Sequence, residues 1–227
     1  MTDYPIQFSA PMVSAIKAGR KTQTRRKLYR LTKNYATACF DQRHRPPLLD
    51  MKNPDHMPGE TWTLSRWASV KVGDRLWVRE AWRPSYSAEG WREDLGRVAR
   101  PIDFDPKTTA IEYLADGEHE LNGKNRPAMF MPRWASRFTL TVTAVRVQQL
   151  QEIDDAAAVA EGMFQTGAAK LWASSTDGQC FETPRAAYMA LWGALHGPMD
   201  WSSNPWVTAT SFSVEMRNID GLAAEAA

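Results

Sequence analysis

Lys21 and Thr24 stand three positions apart and are the residues of this chain best suited by type and spacing to do chemistry. A hydroxyl becomes a nucleophile when a base takes its proton, and an amine serves as that base only when neutral. A lysine in water titrates near 10.4, so neutrality at pH 7 means lowering it by about three units, a differential solvation near 4 kcal/mol. A dry cleft supplies that. Around the pair the chain reads Gly19-Arg-Lys-Thr-Gln-Thr-Arg-Arg26, so Thr22, Arg25 and Arg26 are candidates to hold a substrate beside it. A run of bases of this kind suits an anionic ligand, and it equally suits a solvated basic loop. A carboxylate completes the set. Glu80 lies in a strand Arg75–Trp82 in which Leu76, Val78 and Glu80 share one face and Trp77, Arg79 and Ala81 the other. A carboxylate on an otherwise apolar face is either paired with a cation, Arg79 or another arginine, or raised in pKa, and both occur at working sites.

These residues need fixed elements behind them. Ser9 can cap a short helix with Pro11 in its first turn and Met12, Val13 and Ile16 on one face, and Gly19 ends it. A strand around Ile6 and Phe8 precedes it. Phe138, Leu140 and Val142 alternate with threonines, Thr141 among them, in a further strand. One helix runs from Gln151 through Glu161 to a stop at Gly162. Another runs from Thr183-Pro184 through Tyr188, Leu191, Trp192 and Leu195 to Gly197, and a closing strand covers Asn204–Glu215. Two loop-rich insertions interrupt the pattern. The first spans about 28–70 and holds Pro46, Pro47, Pro54 and Pro58, with Trp62 and Trp67 as anchors. The second spans about 83–125 and holds a hairpin around Ala110–Gly117. One domain is expected over 1–216, with a frayed tail over 217–227. Alternating strands separated by single helices or loops argue against a doubly wound parallel sheet and for an α+β fold, a small mixed β-barrel with flanking helices.

Composition narrows the function. At 227 residues the chain can bury a normal core. Cys39 and Cys180 are isolated, and His44, His56, His119 and His196 lack ligand spacing, so no metal is expected. No GxGxxG, P-loop, HExxH or GxSxG occurs, and no cofactor is expected. The opening MTDYPIQFSA is not a signal peptide and no stretch is long and apolar enough for a bilayer, which predicts a cytoplasmic protein without a membrane partner. The net charge is only +2, yet Arg20, Lys21, Arg25, Arg26, Lys27, Arg30 and Lys33 occur with no acid among them, and Arg43, His44 and Arg45 follow. The ten tryptophans supply core, and some are candidate stacking platforms for bases.

Five stretches together carry a resemblance: PMVSAIKAGRKTQTRR, VGDRLWVREAW, RPAMFMPRWASRFTLTV, LQEIDDAAAVAEG, and LWGALHG followed by WSSNPWV. They resemble the ASCH domain family of the PUA-like barrel superfamily, in its longer phage and prophage type. The resemblance implies a pseudobarrel whose cleft receives RNA or a modified nucleobase. Small bacterial members that look similar around the GRKTxT turn are N4-acetylcytidine amidohydrolases using a lysine, a threonine and a glutamate. Lys21 and Thr24 match the first two. The family glutamate falls on the strand resembling Phe138–Thr143, where this chain has Thr141, and Glu80 is the carboxylate assigned in its place.

The expected function is therefore hydrolysis of an acyl group from an exocyclic base amine, with Lys21, Thr24 and Glu80 catalytic. One alternative is a module that reads RNA or a modified base without chemistry, with Lys21, Arg25 and Arg26 on phosphate and Trp82 stacked on the base. Another is a metal-independent ribonuclease. The oligomeric state is not fixed by the sequence.

Overall fold

The protein is described by a computed structural model over residues 1–31, 62–85, 91–92, 97–98, 104–117, 120, 123–167, 170–175 and 178–225. Most of the first insertion, with its prolines, Lys33, Cys39, Arg43, His44, Arg45 and His56, lies outside the described residues, as does His119. In chain order the elements are β1 (Asp3–Gln7), α1 (Ala10–Lys17), β2 (Gln23–Lys27), β3 (Tyr29–Leu31), β4 (Trp62–Leu64), β5 (Arg75–Arg79), β6 (Trp82–Pro84), β7 (Trp91–Arg92), β8 (Arg97–Val98) and β9 (Ile111–Tyr113). Then follow β10 (Thr139–Gln149), α2 (Asp155–Ala160), β11 (Phe164–Thr166), β12 (Leu171–Ala173), α3 (Pro184–His196), α4 (Pro198–Ser202), β13 (Trp206–Glu215) and α5 (Ile219–Glu225). The fold is α+β, with a five-stranded mixed sheet in the order β1-β5-β10-β13-β2. Its β1–β5 pair is parallel, and β5–β10 and β13–β2 are antiparallel. Among the described residues, no helix is long and apolar enough to cross a membrane.

The chain divides into two compact units. The first comprises 1–19, 73–142 and 213–227. Its register sets Ile6 beside Val78 and Leu140 opposite Leu76, so one face of the sheet buries these apolar side chains with Val13 and Ile16 of α1. Pro11 stands in the first turn of α1, but Ser9 makes no side-chain capping bond, and the backbone alone begins the helix. Gly19 closes it at φ +68°, a left-handed conformation that a side chain disfavours although space is open. Ile111–Tyr113 forms no local hairpin. It pairs antiparallel with Trp82–Pro84, and a 3-10 turn over Leu114–Asp116 follows. The tail is not frayed through 225: Asn218 Nδ2 donates to the carbonyls of Arg133, Trp134 and Ser136, and Ile219 is fully buried at the start of α5.

The second unit comprises 20–72 and 143–212. Its core gathers Leu150, Ile153, Ala158, Met163, Ala187, Tyr188, Trp192 and Val207 from α2, α3, β13 and their flanks. α3 begins as its sequence predicts, but α2 begins at Asp155 rather than at Gln151, because Leu150–Glu152 forms a separate 3-10 turn and Asp154 is the cap. Asp154 accepts from Ala157 N and Thr183 from Ala186 N, each filling a backbone donor that the first turn leaves open.

Candidate functional site

The candidate site lies in the second unit, along β2 and the end of α2. Gln23 and Arg25 project from one face of β2, because alternate residues of a strand share a side. Lys21 and Thr22 lead into the strand and are pinned by main-chain bonds. Thr22 N donates to Ala160 O at 2.8 Å, and Phe212 N donates to Thr22 O at 2.9 Å. That places Lys21 at the last turn of α2. Its Nζ donates to Glu161 Oε2 at 2.7 Å and to the Glu161 carbonyl at 2.8 Å. Arg25 Nη1 donates to Glu161 Oε1 at 3.1 Å and to Gln23 Oε1 at 2.7 Å, while Gln23 Nε2 donates to Ser211 Oγ at 2.9 Å. All three ionisable residues are inside: Lys21 is 0 % exposed, Arg25 1 % and Glu161 4 %.

Burial pushes the Lys21 amine below its usual range, and Glu161 opposes the shift by its charge and hydrogen bond. The amine and the carboxylate are in direct hydrogen-bond contact, and a proton passing from one to the other would leave their net charge unchanged. Such a pair can take up and return a proton without moving charge into or out of the protein. Tyr188, beneath the Arg25 guanidinium at 5.9 Å from ring centre, has its hydroxyl pushed well above the usual phenol range by burial and by the Glu161 charge.

The opposite face of the β2–β13 pair is polar and unfinished. Thr24 stands across from Thr210, and Thr208 follows on the same side, opposite Arg26. The hydroxyls of Thr24 and Thr208 are buried, and neither has a hydrogen-bond partner. No bond therefore joins Thr24 to Lys21. Arg26 Nη1 donates to the Arg25 carbonyl at 3.1 Å, and its guanidinium lies 5.8 Å from the centre of the Trp67 ring, which Arg66 approaches at 5.9 Å. Thr22 is exposed.

The other sequence candidates belong to the first unit. Glu80 is held by Arg137, which donates to its two oxygens at 2.8 Å each. Arg137 also holds Asp116 at 2.5 Å, and Asp116 accepts from Lys17 at 2.5 Å. Burial raises Glu80 above the usual carboxylate range despite the opposing guanidinium. The Arg137 guanidinium lies 3.9 Å over the Tyr113 ring, whose hydroxyl is pushed up to about 12, chiefly by burial. Trp82 is 0 % exposed and packs edge-on to Phe104 beside Met131 and Ala135, so it presents no ring face for a base. Thr141 is half-buried on β10 opposite Arg75, whose guanidinium is bound to Asp3 at 2.9 and 3.0 Å.

Glu161 is the member of this cluster that reading the sequence did not single out. Its signal was present, because an acid closing the helix Asp155–Ala160 sits at the negative end of the helix dipole and implies a cation nearby. Among the described residues no group of three or more side chains could hold a metal ion. Comparison of the chain with family models, with curated proteins and with solved structures returned no match.

Proposed function

We propose that the chain is an ASCH-type hydrolase that removes an acyl group from the exocyclic amine of a modified nucleobase, N4-acylated cytidine foremost, with Lys21 and Glu161 as its proton-transfer pair. The observation that carries this reading is the fully buried Lys21–Glu161 contact at 2.7 Å. Glu161 takes the part that the sequence suggested for Glu80, since it touches Lys21 while Glu80 is engaged by Arg137. In this reading the five-stranded sheet belongs to a PUA-like barrel, and the protein acts in the cytoplasm.

Transfer of the ammonium proton to Glu161 leaves a neutral amine. That amine takes a proton from the attacking group as a C–O bond forms at the acyl carbon. A water molecule supplies that group, because Thr24 projects from the face of β2 opposite to Gln23 and Arg25. Collapse of the tetrahedral intermediate breaks the C–N bond as the proton held by the pair passes to the leaving nitrogen. The products are a carboxylic acid and the free amino base. The test follows conversion of N4-acetylcytidine to cytidine by ultraviolet absorbance. Turnover that disappears in Lys21→Ala and Glu161→Gln but persists in Glu80→Gln supports the assignment; unchanged turnover in either of the first two, with the fold intact, refutes it.

The half-buried Trp67 flanked by Arg26 and Arg66 favours a second reading, a module that binds RNA without chemistry. It predicts steep loss of binding with salt and no product.

A further inference from the structure

Two arginines of the first unit take their carboxylates with a two-pronged grip. Arg75 donates through Nε and Nη2 to the two oxygens of Asp3, and Arg137 does the same to Glu80. A planar guanidinium and a carboxylate favour this arrangement, because two parallel bonds form at once. Arg25 and Glu161 meet differently. Arg25 reaches one oxygen, Oε1, at 3.1 Å through Nη1, and the other, Oε2, accepts from Lys21 at 2.7 Å. The reason is Gln23. Nη1 carries two hydrogens, and the second goes to Gln23 Oε1 at 2.7 Å, the shorter of the two bonds. Nε and Nη2, the prongs that close on Asp3 and Glu80 in the other pairs, are buried on Arg25 without a hydrogen-bond partner. Gln23 is itself fixed. A guanidinium only donates, so the amide turns its oxygen to Arg25 and its nitrogen away, where Nε2 donates to Ser211 Oγ at 2.9 Å. Ser211 stands opposite Gln23 in the β2–β13 register, so the pairing of the two strands places that acceptor.

We propose that Gln23 is a positioning residue of this site: by accepting from Arg25 Nη1 it keeps the guanidinium to one oxygen of Glu161 and reserves the other for Lys21. Its meaning for catalysis rests on the hydrolase reading above. Without Gln23 the competition for Glu161 is unequal. Both cations are buried, and a guanidinium free to turn gains a second charge-assisted bond by closing on both oxygens, which it does at the expense of Lys21. Lys21 then keeps its bond to the Glu161 carbonyl and loses the carboxylate. Burial already pushes the amine below its usual range, with Glu161 opposing and Arg26 and Arg25 adding to the fall. Tyr188 on α3, whose hydroxyl is held neutral, also faces Glu161, Arg20 donates to the neighbouring Gly162 carbonyl at 3.5 Å, and β13 contributes the uncharged Ser211. Surrender of the carboxylate to Arg25 therefore lowers the proton affinity of Lys21 further and separates the two groups between which the reaction passes its proton.

The test reads Lys21 directly, by the pH titration of its Cε carbon in NMR spectra of the lysine-labelled chain, with the signal identified by its loss in Lys21→Ala. In Gln23→Met, which fills a similar space without an acceptor, the proton affinity of Lys21 should fall about 10- to 100-fold, the worth of one hydrogen bond to a charged group. Gln23→Glu keeps an acceptor for Arg25, so Lys21 should bind its proton there at least as tightly as in the unmodified chain. Ser211→Ala removes the far anchor of Gln23 and leaves Arg25 and Glu161 unaltered; it should give a smaller fall, and it decides the question if Gln23→Met does not fold. A residue that merely packs predicts no movement in any of the three. An unchanged titration in Gln23→Met and Ser211→Ala, or the same fall in Gln23→Glu, overturns the proposal. Release of cytidine from N4-acetylcytidine is followed on the same samples, and kcat should drop about 10- to 100-fold in Gln23→Met, with KM unchanged, and recover in Gln23→Glu. If Lys21 shifts as expected and even the unmodified chain releases no cytidine, the hydrolase reading falls and the positioning of Lys21 by Gln23 stands. If the unmodified chain turns over and Lys21 does not shift, the hydrolase reading stands and the positioning falls.

Discussion

Replacing Glu161 by glutamine removes the carboxylate that two buried cations share, and the structure dictates how the loss must depend on pH. Breaking a buried pair by removing one partner costs about 3–5 kcal/mol, because the remaining charge is stranded. Lys21 has an escape, since it can release its proton in the folded state. At pH 7 that release costs 1.36 kcal/mol for each unit below its unfolded value near 10.4, or about 4.6 kcal/mol, so the amine contributes at most that much to the loss. In the variant the folded-state pKa of Lys21 falls further, since burial still lowers it and the opposing carboxylate is gone. A depressed folded pKa contributes stability that is present above the unfolded pKa and lost as pH falls through the folded one. The deficit of Glu161→Gln should therefore shrink as pH rises, by up to about 2.7 kcal/mol between pH 7 and pH 9. Urea unfolding followed by tryptophan fluorescence at both pH values, against the unmodified chain, gives the difference. A loss of 3–5 kcal/mol at pH 7 falling to about 1–2 at pH 9 is expected. A deficit that is the same at both values would show that losing the carboxylate leaves the titration of Lys21 unchanged over this range, and the argument that Glu161 holds the proton on Lys21 would fail with it.

Thr24→Val removes a hydroxyl with no hydrogen-bond partner on the face of β2 opposite to Arg25, so stability should change by less than about 1 kcal/mol and hydrolysis of N4-acetylcytidine should persist; melting and turnover on the same sample check both. Arg137→Ala strands Glu80 and should cost about 3–5 kcal/mol at pH 7. Its sign with pH is opposite to that of Glu161→Gln. A carboxyl whose folded pKa is raised is stabilising below its unfolded value and loses that contribution as pH rises, so the Arg137→Ala deficit should be smaller at pH 5 than at pH 7 in urea unfolding. Gly123→Ala would set a Cβ 1.9 Å from the Pro84 carbonyl oxygen, a backbone atom that cannot step aside, and should lower stability by about 2–4 kcal/mol as read from thermal unfolding.

The regular elements were legible where one period dominates. Leu76 and Val78, and Leu140 and Val142, alternate as the sequence says, and α3 begins at Thr183-Pro184 as its cap predicts. Partners were not legible, because they depend on which strands meet. Ile111–Tyr113 looked like half of a local hairpin and instead pairs with Trp82–Pro84, some thirty residues earlier in the chain. The end of the chain looked frayed because the residues beyond Met216 are mostly small and apolar or acidic, yet it is tied down by one asparagine that bonds three carbonyls. For the site, Lys21 was legible from its own stretch. The carboxylate was sought on a strand, where alternation makes an out-of-place acid conspicuous, and Glu80 is buried against a cation just past the end of β5. Glu161 escaped because a helix-terminal acid is inconspicuous in sequence, and only the bond from Thr22 to Ala160 brings it to the lysine.

The two buried charge networks differ in a way that bears on function. In the first unit Lys17, Asp116, Arg137 and Glu80 alternate in sign and sum to zero, and Arg137 spends its Nε–Nη2 fork on Glu80 and its remaining donor on Asp116. The donors and acceptors of this network meet one another, so its ion pairs are accounted for within the unit. In the second unit Lys21 and Arg25 both donate to Glu161, all three are buried, and Arg25 keeps two donors without a partner. Buried donors on a charged group are costly when left open. On the proposed hydrolase reading, the contact between Lys21 and Glu161 is the part of this cluster put to use, since a proton can pass between the two groups while both stay inside.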